Sequence, residues 1–254
     1  MGKRSCFNMK MTKIEWTVRT WNPITGCTKI SSGCMNCYAE IMARRLQAMG
    51  QKKYLNAFLP SLHDECLNEP REWKKPSTIF VCSMGDVFHK DVPISFVNKI
   101  MKIIKSTPQH RYQLLTKRSK RMMEYFQSHE IPPNAWLGVT VEAKEYKNRI
   151  SDLQSLKNAA VRFVSFEPLL NNIETIDLSN INWAIVGGES GVSGRPMDKL
   201  WVENIKIQCE EQNVSFFFKQ WGTWGSDGIK RNKKANGKKL EGEVIQNLPE
   251  LAFA

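Results

Sequence analysis

From about residue 75 onward the chain repeats one pattern. A short, continuously apolar run ends in a polar residue or two, and a segment with apolar residues three and four apart follows. The runs are 78–82 (TIFVC), 112–115 (YQLL), 135–141 (AWLGVTV), 161–164 (VRFV), 183–186 (WAIV) and 214–218 (VSFFF). Continuous rather than alternating apolarity is the mark of strands buried on both faces. The segments between them, such as 94–106, 120–129, 145–158 and 199–212, are long enough for two to four helical turns. In the first of these, Phe96, Ile100, Ile103 and Ile104 have amphipathic spacing. Strand–helix alternation means crossover units and a parallel sheet. An earlier element around 15–24 brings the expected number of strands to seven. The expected fold class is therefore α/β, a single-domain, partial (β/α) barrel of about six to seven parallel strands over residues 11–225. Residues 1–10 form an N-terminal extension and 226–254 a basic C-terminal tail. The stretch 47–76 is longer than a usual crossover connection and is expected to cover one end.

Chemistry in such a barrel collects at the carboxyl ends of the strands. Here every run ends in polar residues: Ser83 and Asp86, then Thr116, Lys117 and Arg118, then Glu142, then Ser165 and Glu167, then Glu189 and Ser190, and finally Lys219 and Gln220. Six polar ends out of six point to a polar cavity. Plainer roles stand beside that reading. Ser165 and Ser190 suit helix N-caps, and Lys219 suits a charge-neutralising pair with Glu167 or Glu189.

Three of the seven cysteines, Cys27, Cys34 and Cys37, fall within eleven residues. The N-terminus is polar and basic with no apolar stretch behind it, which is unlike a signal peptide. No run of about 18 apolar residues is present, so no membrane span is expected. In the cytoplasm such a cluster reads as metal binding or catalysis rather than disulfides. Three thiolates fit either of two centres. One is zinc with a fourth ligand from His63, His89, His110 or His129, of which His89 is nearest a strand end. The other is an iron–sulfur cluster with one iron left open. Cys82 and Cys209 read as small core residues. The chain carries a net charge of +12, and half of it comes from Lys230, Arg231, Lys233, Lys234, Lys238 and Lys239. A basic segment of that kind is either a nucleic-acid contact or a solubilising terminus. Its deletion is expected to leave a metal centre intact.

These residues bring a family into view. A loop with Cys27-x6-Cys34-x2-Cys37-Tyr38 after the first strand of a (β/α) barrel resembles the radical S-adenosylmethionine superfamily. More closely, the chain resembles a phage and bacterial family of unassigned function, radical-SAM-like and named for its three-cysteine motif (Gp37/Gp68-like). The shared stretches are Lys13-Ile14-Glu15-Trp16, Trp21-Asn22-Pro23, Gly26 to Glu40, Asp86-Val87-Phe88-His89, Leu115-Thr116-Lys117-Arg118, Gly138 to Glu142, Phe166-Glu167-Pro168-Leu169-Leu170, Gly187-Gly188-Glu189-Ser190-Gly191 and Phe217 to Gly222. The superfamily's usual first gap is three residues, and here it is six. Its Gly-Gly-Glu segment follows the second strand, whereas Gly187-Gly188-Glu189 follows the sixth run. There the two glycines also suit a tight turn that demands positive φ.

The resemblance implies a [4Fe–4S] cluster on Cys27, Cys34 and Cys37 that binds S-adenosylmethionine and yields a 5′-deoxyadenosyl radical. Ser83 or Asp86 then stands where the methionine amino group is held. Lys117 and Arg118 suit its carboxylate or a substrate phosphate. Thr140 and Glu142 suit the adenosine ribose, and Thr116 and Ser165 are further candidate cofactor-binding residues. Glu167, Glu189 and Lys219 are the candidate catalytic residues, for substrate binding or proton transfer. The basic segment together with Trp221 and Trp224 points to a nucleic acid or nucleotide substrate, such as a modified base. An electron donor is required, a partner protein is allowed for, and no membrane is involved. The expected location is the cytoplasm, the host's if the chain is phage-encoded. Two other readings stay open: a zinc-stabilised nucleic-acid-binding protein without catalysis, and a zinc hydrolase using Glu189 or His89 as base.

Overall fold

The computed structural model describes residues 12 and 14–250. The N-terminal extension 1–10 and Cys6 lie outside the described residues. The chain divides into two compact units. One takes residues up to Thr28, Ala39–Thr116 and His129–Trp136; the other takes Lys29–Tyr38, Lys117–Ser128 and Leu137 onward.

The first unit contains β1 (Arg19–Trp21), β2 (Ile24–Thr25), α1 (Tyr38–Ala48), β3 (Ser61–Leu62), α2 (Glu69–Glu72), β4 (Thr78–Val81), α3 (Ile94–Lys105) and β5 (Arg111–Thr116). β4 pairs in parallel with both β1 and β5, opposing Ile79 to Tyr112 and Val81 to Leu114. β2 and β3 form a small antiparallel ribbon. α3 buries Phe96, Val97, Ile100, Met101, Ile103 and Ile104, the stripe its spacing predicts. At its end the Thr107 hydroxyl meets the Tyr112 hydroxyl at 2.6 Å, which satisfies two polar groups inside the core.

The second unit contains α4 (Ser119–Ser128), most of β6 (Ala135–Thr140), α5 (Asn148–Gln154), β7 (Val161–Phe166), β8 (Trp183–Gly187), α6 (Lys199–Glu211), β9 (Ser215–Gln220) and the single turn α7 (Lys233–Asn236). β8 pairs in parallel with β7 and β9. Seven strands thus stand in one sheet in the order β1-β4-β5-β6-β7-β8-β9. This is the α/β, partial-barrel arrangement expected from the apolar runs.

One link departs from the βα rule: no helix joins β7 to β8. Leu169, Ile173, Ile176 and Leu178 are nevertheless buried there. Side chains of α6 and of the residue that caps it take over the backbone bonding that a helix would have supplied. Gln208 Oε1 accepts from the Ile176 N–H at 2.8 Å, and Gln212 Oε1 from the Leu178 N–H at 2.7 Å. Ser165 therefore has no helix to cap. Nor is Ser190 a cap, because α6 starts at Lys199 and the Asp198 carboxylate accepts from the Leu200 N–H at 2.8 Å.

The basic C-terminal segment is built into this unit. The Phe218 N–H donates to Ile245 O at 2.8 Å and the Asn247 N–H to Phe216 O at 3.1 Å. The indoles of Trp183 and Trp221 donate to the carbonyls of Asn247 and Lys239. Among the described residues, no helix is long and apolar enough to cross a membrane.

Candidate functional site

In the first unit, polar residues at the ends of β4 and β5 surround the start of the cysteine loop. The Gly26 N–H donates to Met84 O at 2.8 Å and the Cys27 N–H to Phe58 O at 3.0 Å. Gly26 has φ +83°, and a Cβ there would stand 2.2 Å from the Leu59 carbonyl oxygen, so only glycine fits this turn. Asn22 Oδ1 accepts from the Ser83 hydroxyl at 3.1 Å and from the Met84 N–H at 3.0 Å. Asp86 and Thr116 are buried together. The threonine hydroxyl donates to both carboxylate oxygens, at 2.8 and 2.9 Å, and the Phe88 N–H donates to Oδ1. His89 is fully buried next to the loop. Its Nδ1 accepts from the Asp91 N–H at 3.2 Å, so Nε2 carries the proton toward Thr28 Oγ1, 2.8 Å away. Both ring nitrogens are thereby engaged, Nδ1 with the Asp91 N–H and Nε2 in holding the residue after Cys27. The fourth-zinc-ligand and hydrolytic-base roles considered for His89 would break that arrangement.

In the second unit, two buried carboxylates face residues 31–36. Glu142, just past β6, is fully buried. Its Oε2 takes Arg149 Nη1 at 2.8 Å, and Arg149 also donates to Thr140 O at 2.7 Å. Its Oε1 lies 3.4 Å from the Gly33 N–H and 3.3 Å from Lys117 Nζ. That ammonium is itself buried and makes no geometric hydrogen bond, so it acts on Glu142 as a charge rather than as a donor. Burial pushes the Glu142 carboxyl up, but Lys117, Arg149 and the Ser31 hydroxyl outweigh it and hold the group below its ordinary value.

Glu189, just past β8, is gripped by Arg195 at 2.6 and 2.9 Å and takes the Asn36 amide at 2.9 Å. Its carboxyl is also held low: burial opposes the shift, and Arg195 and Asn36 outweigh burial. Arg195 reaches on to Ser32 O at 3.0 Å. Glu167, past β7, pairs with Lys219 of β9 at 2.7 and 2.9 Å. Of the two glutamates the sequence offered to Lys219, it takes Glu167. Arg118 is half-buried, and Ser165 is buried with its carbonyl accepting the Val141 N–H at 2.9 Å.

Gly187 and Gly188 do not have positive φ. What they supply is room, since a Cβ on Gly188 would stand 1.9 Å from Trp221 O. The turn that needs left-handed backbone lies further on, at Gly191 and Gly222.

The described cysteines sort into two classes. Cys66, Cys82 and Cys209 are buried, and burial pushes the thiols of Cys82 and Cys209 up to about 12. Cys27, Cys34 and Cys37 are half-exposed. Burial raises the Cys34 thiol too, but it is outweighed by a backbone hydrogen bond from Ile30, the charge of Lys117 and the Ser31 hydroxyl. The result lies below the ordinary 9.0. Thiolates are the form that binds metal. Among the described residues, no three His, Cys, Asp or Glu side chains already stand as a metal-binding group. The donor chemistry of residues 27–37 fits a soft metal or an iron–sulfur cluster.

A family model described as "Protein of unknown function (DUF5131)" matches residues 11–249. The chain belongs to this family. The Gp37/Gp68-like name drawn from the motifs is not part of that description. The DUF5131 match includes the basic C-terminal segment. No curated protein matches the chain. Among solved structures, it is similar to spore photoproduct lyase. A double mutant with bound AdoMet and dinucleoside spore photoproduct shares 11% identity at a TM-score of 0.48, over 83% of this chain and 66% of that one. A single mutant shares 13% at 0.49, over 87% and 69%. The complex with dinucleoside spore photoproduct shares 11% at 0.44, over 75% and 60%.

Arg149, Arg195, Asn36 and Tyr146 were not singled out by the sequence. Arg149 has a faint local signal, lying seven residues after Glu142. Asn36 and Glu189 are 153 residues apart, and nothing in either stretch announces the other.

Proposed function

We propose that this DUF5131 chain is a radical S-adenosylmethionine enzyme acting on a nucleotide-type substrate, with Cys27, Cys34 and Cys37 as the ligands of a [4Fe–4S] cluster. The observation that carries the reading is the division among the cysteines. The three that crowd into one short segment are half-exposed, with Cys34 held toward thiolate, whereas the other described thiols are sealed in the core. When bound, the cluster and S-adenosylmethionine would supply a 5′-deoxyadenosyl radical for hydrogen abstraction.

The protein's part is to bind, orient and exclude water. In the first unit, Ser83, Asp86 and Thr116 are the polar groups assigned to S-adenosylmethionine. In the second, Lys117, Arg118, Thr140 and Ser165 take that assignment. Glu167 and Lys219 form a paired carboxylate and ammonium that stay partly exposed, and they are assigned to substrate. Glu142 and Glu189 have their oxygens committed to cations and to the cysteine loop. The nucleotide-type substrate is favoured by the basic segment. Lys233, Lys234 and Lys239 are exposed, and the chain that carries them is bonded to Trp221 and β9, so the basic side chains rise from an anchored backbone and can reach phosphates.

A zinc hydrolase would need a disengaged base, and both candidates, His89 and Glu189, are engaged elsewhere. The test is anaerobic iron–sulfur reconstitution, then dithionite and S-adenosylmethionine, with assays for iron, sulfide and 5′-deoxyadenosine. A Cys27→Ala, Cys34→Ala, Cys37→Ala triple variant is the blank. Product and about four irons, both absent from the triple variant, are expected. One tightly bound zinc and no product would overturn the reading in favour of a zinc-stabilised binder.

A further inference from the structure

We propose that Glu142 and Glu189 are positioning residues that shape residues 31–36, so that Cys34 and Cys37 are presented to a metal before any metal is bound. The proposal rests on the reading of 27–37 as the ligand loop. It departs from the cofactor-binding and catalytic roles that the sequence suggests for these two glutamates.

Each carboxylate is buried, with 0% and 5% side-chain exposure, and each already has enough cationic partners to neutralise it. Neutralisation alone would need no further contact. Both nevertheless turn remaining acceptor capacity toward the loop, on opposite sides of Cys34. Glu142 accepts from the Gly33 N–H at 3.4 Å. Glu189 takes the Asn36 amide, which also donates to Ser193 O at 2.9 Å. Their surroundings extend the same grip. The Ser32 N–H donates to the Tyr146 hydroxyl at 3.1 Å, and that ring stacks under the Arg149 guanidinium, 4.3 Å from its centroid. Ser32 O accepts from Arg195. The backbone of Ser32 is therefore bonded at both its N–H and its C=O by side chains outside the loop. A loop tied this way has lost its freedom before ligation, and the ordering cost of binding falls accordingly. Groups that orient ligands in this manner typically change metal affinity about 10–100-fold when removed.

The test uses the metal-free, full-length protein and Co²⁺ as probe. Glu189→Gln keeps the shape and removes the charge, and Asn36→Ala removes both bonds of its amide, to Glu189 and to Ser193 O, while leaving the Glu189–Arg195 pair. In both variants amide exchange over 31–36 is expected to speed up at least ~10-fold, and Co²⁺ to bind about 10-fold more weakly. The thermal midpoint of Asn36→Ala should stay near that of the parent. Unchanged exchange and unchanged Co²⁺ affinity would overturn the proposal. So would exchange that rises only in step with global unfolding, since that marks a role in the fold alone. A parent protein whose Co²⁺ spectrum has no thiolate-to-metal band would sink the ligand-loop reading instead, and the exchange result would still decide the grip.

Discussion

Lys219 donates to both carboxylate oxygens of Glu167, at 2.7 and 2.9 Å, from the end of β9 to the residue just past β7. Gly187, at the end of the intervening strand β8, leaves the space they use: a Cβ there would come within 3.2 Å of Glu167 Oε1. Side-chain exposures of 15% and 20% keep the pair within reach of a small molecule. With the pair acting on substrate, Lys219→Met should still cleave S-adenosylmethionine after reconstitution while substrate conversion falls about 100-fold. The readout is the ratio of converted substrate to 5′-deoxyadenosine. Equal loss of both products would move the pair to cofactor binding, and no change would remove it from the site.

Acid should weaken the protein through Glu142 and Glu189. Burial raises both carboxyls, but Lys117 and Arg149 around one, and Arg195 and Asn36 around the other, leave both below the ordinary 4.5. A depressed folded pKa means fewer protons bound when folded than when unfolded. The stabilisation is therefore complete above 4.5 and is lost as pH falls through the folded values. Urea unfolding should give a stability that is flat from about pH 7 to about pH 5 and then drops. A Glu142→Gln, Glu189→Gln protein should be less stable at neutral pH and drop less steeply. Parallel curves for the two proteins would refute the assignment.

Gly188 packs its α-carbon against the backbone of Trp221, and a methyl group would collide with that carbonyl at 1.9 Å. The obstacle is main chain, which cannot rotate aside as a flexible side chain would. Gly188→Ala should cost more than about 3 kcal/mol and lower the thermal midpoint by ~10 °C. Gly191→Ala separates space from conformation. Nothing stands within 4 Å of its Cβ, but φ is +115°, so the cost there should be smaller, on the order of 1–2 kcal/mol. Equal midpoints for the two variants would show that the close approach is not what selects glycine at position 188.

Elements whose cause is local were legible in the sequence. The runs 78–82 and 183–186 became Thr78–Val81 and Trp183–Gly187, and the amphipathic segment 199–212 became Lys199–Glu211. Polar strand ends were legible for the same reason, since a strand's last residue sets where its neighbour points. The link from β7 to β8 was not legible because its backbone is satisfied by Gln208 and Gln212, more than thirty residues away in the chain. Glu142 and Glu189 were found as residues, but their partners were not. Tyr146 reaches Ser32 across 114 residues and Arg195 reaches it across 163. No spacing rule covers such distances, so a glutamate that shapes a loop reads in sequence like one that faces a ligand.

Nucleic-acid binding should be sensitive to α7. Lys233 and Lys234 are exposed there, whereas Arg231 is already paired with Asp227 at 2.7 Å. Each phosphate contact contributes roughly 0.9 to the slope of log affinity against log salt on duplex and roughly 0.7 on single strands. Lys233→Glu with Lys234→Glu should therefore flatten that slope by about 1.5 on a labelled single-stranded oligonucleotide, read by fluorescence anisotropy. An unchanged slope would return the segment to the role of a solubilising terminus.

Removing residues 228–254 tests whether that segment is an appendage, as its composition suggested. In the fold it lines β9, through Phe218 to Ile245 and Asn247 to Phe216, and it closes over the indoles of Trp183 and Trp221. Trp183 is 0% exposed and Trp221 2%. Truncation takes away the acceptors of both indole N–H groups, at about 1–3 kcal/mol each where water does not replace them. It also uncovers Leu240's packing partners and one side of β9, an edge that invites association. The truncated chain should unfold at least ~5 °C lower and elute partly as aggregate, by calorimetry and size-exclusion chromatography. Its metal content after reconstitution should then fall with the folded fraction, not independently of it. A monomer with an unchanged midpoint would show that these bonds contribute nothing and that the segment is an appendage after all.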